Sequence, residues 1–138
     1  MLKNTSLLKT HGYINGQWVG DDAQSRFDVT NAYTNEVIST LPDMGKKETD
    51  EAIDAANAAW PDWRSRTAKE RAIILKKWFD LIMSNQEDLA TLMTAEQGKP
   101  LAEARGEVGY GASFIEWFAE EGKRTYGDII PTPANDRR

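Results

Sequence analysis

The chain contains no cysteine in 138 residues. That absence excludes a disulfide, a thiolate zinc site and, with most consequence, a thiol nucleophile. Histidine occurs once, at His11 in the N-terminal segment, so an imidazole metal cluster is excluded and a catalytic role for this residue is not expected. An excess of positive charge is also missing. Seventeen lysines and arginines are dispersed among 22 acidic residues for a net charge of −5, which leaves no basic stripe to neutralise phosphates and argues against a nucleic-acid partner. No apolar run approaches the roughly 18 to 20 residues that span a bilayer, and "MLKNTSLLKTHGY" lacks the apolar core of a signal peptide. A cytoplasmic chain without a membrane partner is therefore expected.

What is present is the composition of a folded domain: 40% apolar and 28% charged residues, near the average for globular proteins. The order of patterns divides the chain into a β-rich front and a helical body. In "YINGQWV", Asn15-Gly16 lies between apolar and aromatic residues, the signal for a tight hairpin with a type I′ turn. "RFDVT" and "EVISTLP" flank "NAYTNE", where Asn31 and Asn35 favour a second turn, so that hairpins are expected over 12–42.

From Lys46 the period changes. Ala52, Ile53, Ala56, Ala59 and Trp60 recur at spacings of three and four and predict a helix from Lys46 to Trp60, with Gly45 at its N-cap and "PDWRSR" ending it. "TAKE" at Thr67–Glu70 reads as a capping box, followed by a stripe of Ile74, Leu75, Trp78, Leu81 and Ile82 expected to be buried. A third helix is predicted after Asn85, with Leu89, Leu92 and Met93 facing inward and Gly98 as a left-handed cap. Pro100 suits the first turn of a fourth, which Leu101, Ala104, Val108, Ala112, Ile115 and Ala119 carry almost to Gly122. Ile129-Ile130, between Gly127 and Pro131, reads as the possible start of a strand.

None of these segments carries a self-sufficient active site. Gly98-Lys99 is not a phosphate loop, because Pro100 replaces the hydroxyl residue and the earlier glycine is missing. Gly106, Gly109 and Gly111 have the wrong order for a dinucleotide fingerprint and are read as permitting close helix packing. Glu116, Glu120 and Glu121, beside Lys123 and Arg124, read as a solvated face with local ion pairs. Tyr110, Phe114, Trp117 and Phe118 follow helical spacing and read as core.

The same segments, in this order, resemble the N-terminal portion of the aldehyde dehydrogenase superfamily: "YINGQWV", "FDVTNAYTNEVISTLP", "DEAIDAANAAW", "AKERAIILKKW" and "LMTAEQGKPLAEARGEVGYGASFIEWFAEEGKRTYGDIIP". The last is most similar to bacterial succinate-semialdehyde dehydrogenases. The resemblance implies an α/β enzyme in which a cysteine thiolate attacks an aldehyde, hydride passes to NAD or NADP, and water releases the acid. Since the chain has no cysteine, the expectation is an N-terminal fragment, inactive alone, with no catalytic residue and no bound cofactor of its own.

Within that picture the fragment is mainly α-helical, about four helices with N-terminal β-hairpins and the start of a C-terminal strand. Residues 1–122 belong to the dinucleotide-binding domain, with helices over 46–122, and 123–138 begin the oligomerisation segment of a homo-oligomer. "ANDRR" is expected there as an exposed site for a protease cleaving after arginine. The resemblance also makes Tyr110, Ser113, Phe114 and Trp117 candidates to line the substrate tunnel of a small aldehyde, and Val29, Thr30 and Glu96 candidates to hold a structural monovalent cation. The alternative from the residues alone is a stand-alone helical protein-interaction module.

Overall fold

The computed structural model describes residues 2–133. The "ANDRR" stretch at 134–138, with its expected protease site and the end of the expected oligomerisation segment, lies outside the described residues. Two antiparallel hairpins come first: β1 (Gly12–Ile14) with β2 (Gln17–Val19), and β3 (Arg26–Thr30) with β4 (Val37–Pro42). Both turns follow from asparagine and glycine chemistry. Asn15 and Gly16 have φ of 48° and 79°, the pair of positive values a type I′ turn requires. In the second, the Asn31 carboxamide accepts the N–H groups of Tyr33 and Thr34 at 2.9 and 3.1 Å, and Asn35 takes a φ of 60°. The ladder slips between Val29 and Thr30.

Four helices follow: α1 (Lys46–Ser65), α2 (Ala68–Ser84), α3 (Gln86–Gln97) and α4 (Leu101–Glu121). The Glu48 carboxylate accepts the Gly45 N–H at 2.9 Å at the start of α1. Thr67 and Glu70 form the full reciprocal box at α2, with hydrogen bonds of 2.8 and 3.3 Å. The Thr67 hydroxyl, then its N–H, hold the Glu70 carboxyl below the usual range. Gly98 caps α3 at φ 73°. Pro100 stands at the N-cap of α4, one residue before the first turn in which it was placed.

Several expectations are corrected. α1 does not stop at Trp60 but runs through Pro61 to Ser65. A proline forfeits one hydrogen bond at its own position, and the Arg66 N–H to Trp63 carbonyl bond closes the helix five residues later. The stripe on α2 is not buried as predicted: Ile74, Trp78 and Leu81 are exposed, while Leu75 and Ile82 are half-buried. α2 meets chiefly α4, with a smaller contact to α3, and these cover one side of it. Gly106 and Gly111 have nothing near the place of a β-carbon, and Gly109 only the Gln86 amide at 3.5 Å, so the three glycines do not mediate close packing among the described residues. Ile129-Ile130 starts no strand there and is exposed, no neighbouring strand being present to pair with it.

The core is small. Ala90, Ala104 and Val108 are buried between α3 and α4, flanked by Ile82, Leu89, Met93 and Leu101. α4 packs on α2 and α3, while α1 touches chiefly β1 and buries no residue. No large side chain is fully buried. The chain exposes 10838 Å², against about 7,200 Å² for a compact monomer of its mass.

The N-terminal segment is tied to the body by hydrogen bonds. The His11 Nε2 lies 2.7 Å from Asp21 Oδ1. Asp88, 7% exposed, accepts the N–H groups of Lys3 and Asn4 at 2.9 and 2.8 Å from the first turn of α3. Those two backbone donors hold its carboxyl below the usual range. Its folded pKa is depressed, so its contribution is present above the unfolded aspartate value and is lost as pH falls through the folded one, below about pH 4. Asp88→Ala is expected to speed amide exchange at Lys3 and Asn4 by on the order of tenfold at neutral pH, and the wild type to approach the variant's rates, corrected for pH, in acid. Thr67→Ala is expected to cost about 1 kcal/mol in urea unfolding through loss of the cap.

Candidate functional site

α4 turns about 100° per residue, which places Ala104, Val108, Ala112, Ile115 and Ala119 on one side and Tyr110, Ser113, Phe114 and Trp117 roughly half a turn away. The first set packs on α2 and α3, and four of its five members are buried. The second set is not core as its spacing suggested. Tyr110 is 67% exposed, Phe114 47%, Trp117 64% and the adjacent Phe118 61%. A helix apolar on both sides is normally buried all round, and one side of this one is open.

The structure brings the four predicted tunnel residues together. Tyr110, Ser113, Phe114 and Trp117 line one open groove of about 740 Å³ with Phe118, Glu116, Glu120 and Arg124. Tyr110 and Phe114 meet edge to face, with centroids 4.9 Å apart at 79°, which stiffens that wall. Ser113 donates its hydroxyl to the Tyr110 carbonyl at 2.7 Å. Its proton is thereby committed to the helix, and toward the groove it offers lone pairs rather than an acid.

Ion pairs at the edges set the position of this wall. Arg105 on α4 clasps Glu87 on α3 through two bonds of 2.6 and 3.0 Å, and the Gln86 amide donates to the Arg105 carbonyl at 3.0 Å. The same contact lowers the Glu87 pKa and raises that of Arg105. Lys99 pairs with Glu107 across the start of α4. At the far end Glu120 pairs with Lys123 at 3.0 Å and Glu121 with Arg124 at 3.2 Å, while Lys76 of α2 lies 3.9 Å from Glu116. The expected solvated, ion-paired face is thus present. Lys123 holds the Glu120 carboxyl below its usual range.

The three candidate cation ligands come from two segments. Val29 is half-buried and Thr30 exposed at the irregular end of β3, and Glu96 is exposed in the last turn of α3. A hydrogen bond of 3.0 Å from the Ala32 N–H to the Ala95 carbonyl ties the strand end to the helix end. Phe118, read as core, and Glu116, Glu120 and Arg124, read as an ion-paired face, complete the lining of the groove.

The sequence profile of the aldehyde dehydrogenase family matches residues 18–138. The chain belongs to the aldehyde dehydrogenase family. It is 57% identical over 99% of its length to the glutarate-semialdehyde dehydrogenase of Pseudomonas putida (strain KT2440). It is 56% identical over the same share to the succinate-semialdehyde dehydrogenase (NADP(+)) of Escherichia coli (strain K12). The crystal structure of succinate-semialdehyde dehydrogenase from Burkholderia pseudomallei superposes with a TM-score of 0.92 at 56% identity, covering 96% of this chain and 28% of that one. The chain likewise spans 28% of the length of the two curated relatives. The aldehyde dehydrogenases among its structural neighbours are α/β proteins, and the described residues supply four helices and two hairpins of such an architecture. No helix among the described residues is long and apolar enough to cross a membrane.

Four exposed aromatics on one helix, with Ile53, Trp60, Ile73, Trp78 and Leu81 open on α1 and α2, exceed what a lone soluble domain shows. The purified 138-residue chain is expected to self-associate, with a weight-average sedimentation coefficient that rises with concentration. A monodisperse monomer at high concentration would contradict this.

Proposed function

We propose that this chain is the N-terminal part of an NAD(P)-dependent aldehyde dehydrogenase that oxidises succinate semialdehyde to succinate. The observation that carries the reading is the groove on α4: a stiff aromatic wall, apolar and pre-positioned, on a helix whose opposite face is already packed. In this reading Tyr110, Ser113, Phe114 and Trp117 line the path of the aldehyde. The identity to enzymes named for succinate and glutarate semialdehydes supports a dicarboxylic semialdehyde as substrate. A stand-alone helical interaction module finds no support in the family match.

The division of labour follows from composition. The covalent step needs a thiolate, and these 138 residues have no cysteine, so the chain contributes walls rather than reacting groups. Aromatic side chains exclude water and restrict the approach of the carbonyl, and the interhelical ion pairs keep that geometry fixed. A nicotinamide cofactor accepts hydride in such enzymes. NAD or NADP would be held by residues outside this chain, since its glycines do not form a dinucleotide fingerprint.

Residues 1–122 then belong to a dinucleotide-binding domain and 123–138 lead into an oligomerisation segment of a homo-oligomer. Main-chain carbonyls at Val29 and Thr30 with the Glu96 carboxylate form a hard-oxygen donor set, which suits a structural monovalent cation. The bond from Ala32 to Ala95 supports their neighbourhood.

The full reading frame carrying this chain, assayed by NADH or NADPH absorbance, is expected to turn over succinate semialdehyde with a kcat/KM at least about tenfold above that for butanal. The 138-residue chain by itself is expected to give no turnover. Activity of that chain alone, or a full-length enzyme that does not oxidise succinate semialdehyde, would overturn the reading.

A further inference from the structure

An asparagine carboxamide is open to attack by the main-chain nitrogen of the next residue. Six asparagines lie among the described residues: Asn4, Asn15, Asn31, Asn35, Asn57 and Asn85. Only Asn15 is followed by glycine, which has no Cβ to crowd that nitrogen. The Asn4 carboxamide accepts the Ser6 N–H, that of Asn31 accepts Tyr33 and Thr34, and that of Asn85 donates to the Leu81 carbonyl. Asn57 is held inside α1, and Asn35 precedes the bulkier Glu36. Asn15 is exposed at the tip of the β1–β2 hairpin, and its carboxamide makes no hydrogen bond among the described residues. A β-carbon built at Gly16 would meet only the Tyr13 hydroxyl, at 4.0 Å, so the turn is open to base and water.

The closed turn nevertheless withholds the reaction. Asn15 and Gly16 have φ of 48° and 79°, in the left-handed region. There the Asn15 Cβ and the Gly16 nitrogen stand nearly opposite one another across the Cα–C bond, too far apart to close an imide ring. Attack requires the hairpin to open and Asn15 to leave that region. The hairpin is short, with the pairs Gly12↔Val19, Tyr13↔Trp18 and Ile14↔Gln17. A tilted contact of the Tyr13 and Trp18 rings, 4.8 Å between centroids, and the Lys9 ammonium 4.7 Å from the Trp18 ring centre steady it. A two-stranded ribbon of this size opens readily.

We propose that Asn15 is a site of spontaneous deamidation and isoaspartate formation, gated by opening of the β1–β2 hairpin. In the opened chain the Gly16 nitrogen bonds to the Asn15 Cγ, the Cγ–Nδ2 bond breaks, and ammonia leaves with the proton that the Gly16 nitrogen gives up. Water then opens the imide. Breaking the Gly16 nitrogen's bond to Cγ gives aspartate in a normal main chain, and breaking its bond to the Asn15 main-chain carbonyl carbon gives isoaspartate. One water enters, one ammonia leaves, a carboxylate is gained, and nothing is oxidised or reduced. Aspartate-glycine still suits a type I′ turn. Isoaspartate adds a methylene to the loop and does not, so β1, the strand that α1 touches, loses its pairing.

The full-length enzyme carrying this chain, held in warm, mildly alkaline buffer and mapped by peptide mass spectrometry, is expected to convert Asn15 at least about tenfold faster than Asn31, Asn35 or Asn57. Conversion is expected to be slower than in a free peptide of residues 12–19. Trp18→Ala, which removes the ring pair, is expected to speed conversion at Asn15 about two- to tenfold and to leave Asn31 and Asn35 unchanged. Asn15→Gly, which keeps a Gly-Gly turn, is expected to abolish the modification of that segment. An intact Asn15 under conditions that convert the free peptide, or a rate no greater than that of Asn31, would overturn the site. A rate equal to the peptide's, or Trp18→Ala without a selective effect on Asn15, would overturn the gate.

Discussion

Helix α4 is apolar on two opposite sides, and the rest of the arrangement depends on which side is packed. Its small residues point inward: Ala104, Ala112 and Ala119, with Val108, let α2 and α3 approach closely. Its large residues, Tyr110, Phe114, Trp117 and Phe118, point away. Burying the aromatics would remove far more apolar area from water, roughly 25 cal/mol per Å², than burying alanines. A helix packed the other way round is one whose large face is intended for a neighbour or a ligand. The same logic extends to the whole surface, because 10838 Å² is well above the value for a compact chain of this mass.

A wall is useful only if it is held at a set angle. The bidentate Glu87–Arg105 pair and the Gln86 bond to the Arg105 carbonyl fasten α3 to α4, and the Lys99–Glu107 pair ties the connection between them to α4. Each is partly exposed and individually modest, yet together they fix an orientation that a core of alanines defines only loosely. The Asp88 clasp on Lys3 and Asn4 extends this frame to the N-terminal segment. In the proposed enzyme the chain is thus a flank, and its contribution is one of shape and exclusion of water.

Much of the local structure was legible because its causes lie within a few residues. Asn15-Gly16 takes positive φ, Thr67 and Glu70 satisfy each other's backbone, and Gly98 ends α3 in the left-handed region. That Tyr110, Ser113, Phe114 and Trp117 share a helix face was legible from their spacing, but spacing alone read the aromatics as core, and only the family resemblance made them candidates to line a substrate path. Arg124 lies beyond the helix and reads from the sequence as a surface ion-pair partner, and the structure shows it as both a pair and a groove residue.

What the amino-acid order determined by itself was the set of elements, the faces they carry, the family, and the impossibility of thiolate chemistry among these residues. Only the tertiary structure decided which apolar face is covered. Periodicity reports that Ile74, Trp78 and Leu81 lie together, and that the α4 aromatics lie together, but it is blind to whether a neighbour exists to pack on them. The open space beside Gly106 and Gly111 and the exposed Ile129-Ile130 share that cause. Local hydrogen bonding is settled by adjacent residues, whereas burial is settled by whatever the rest of the fold brings alongside.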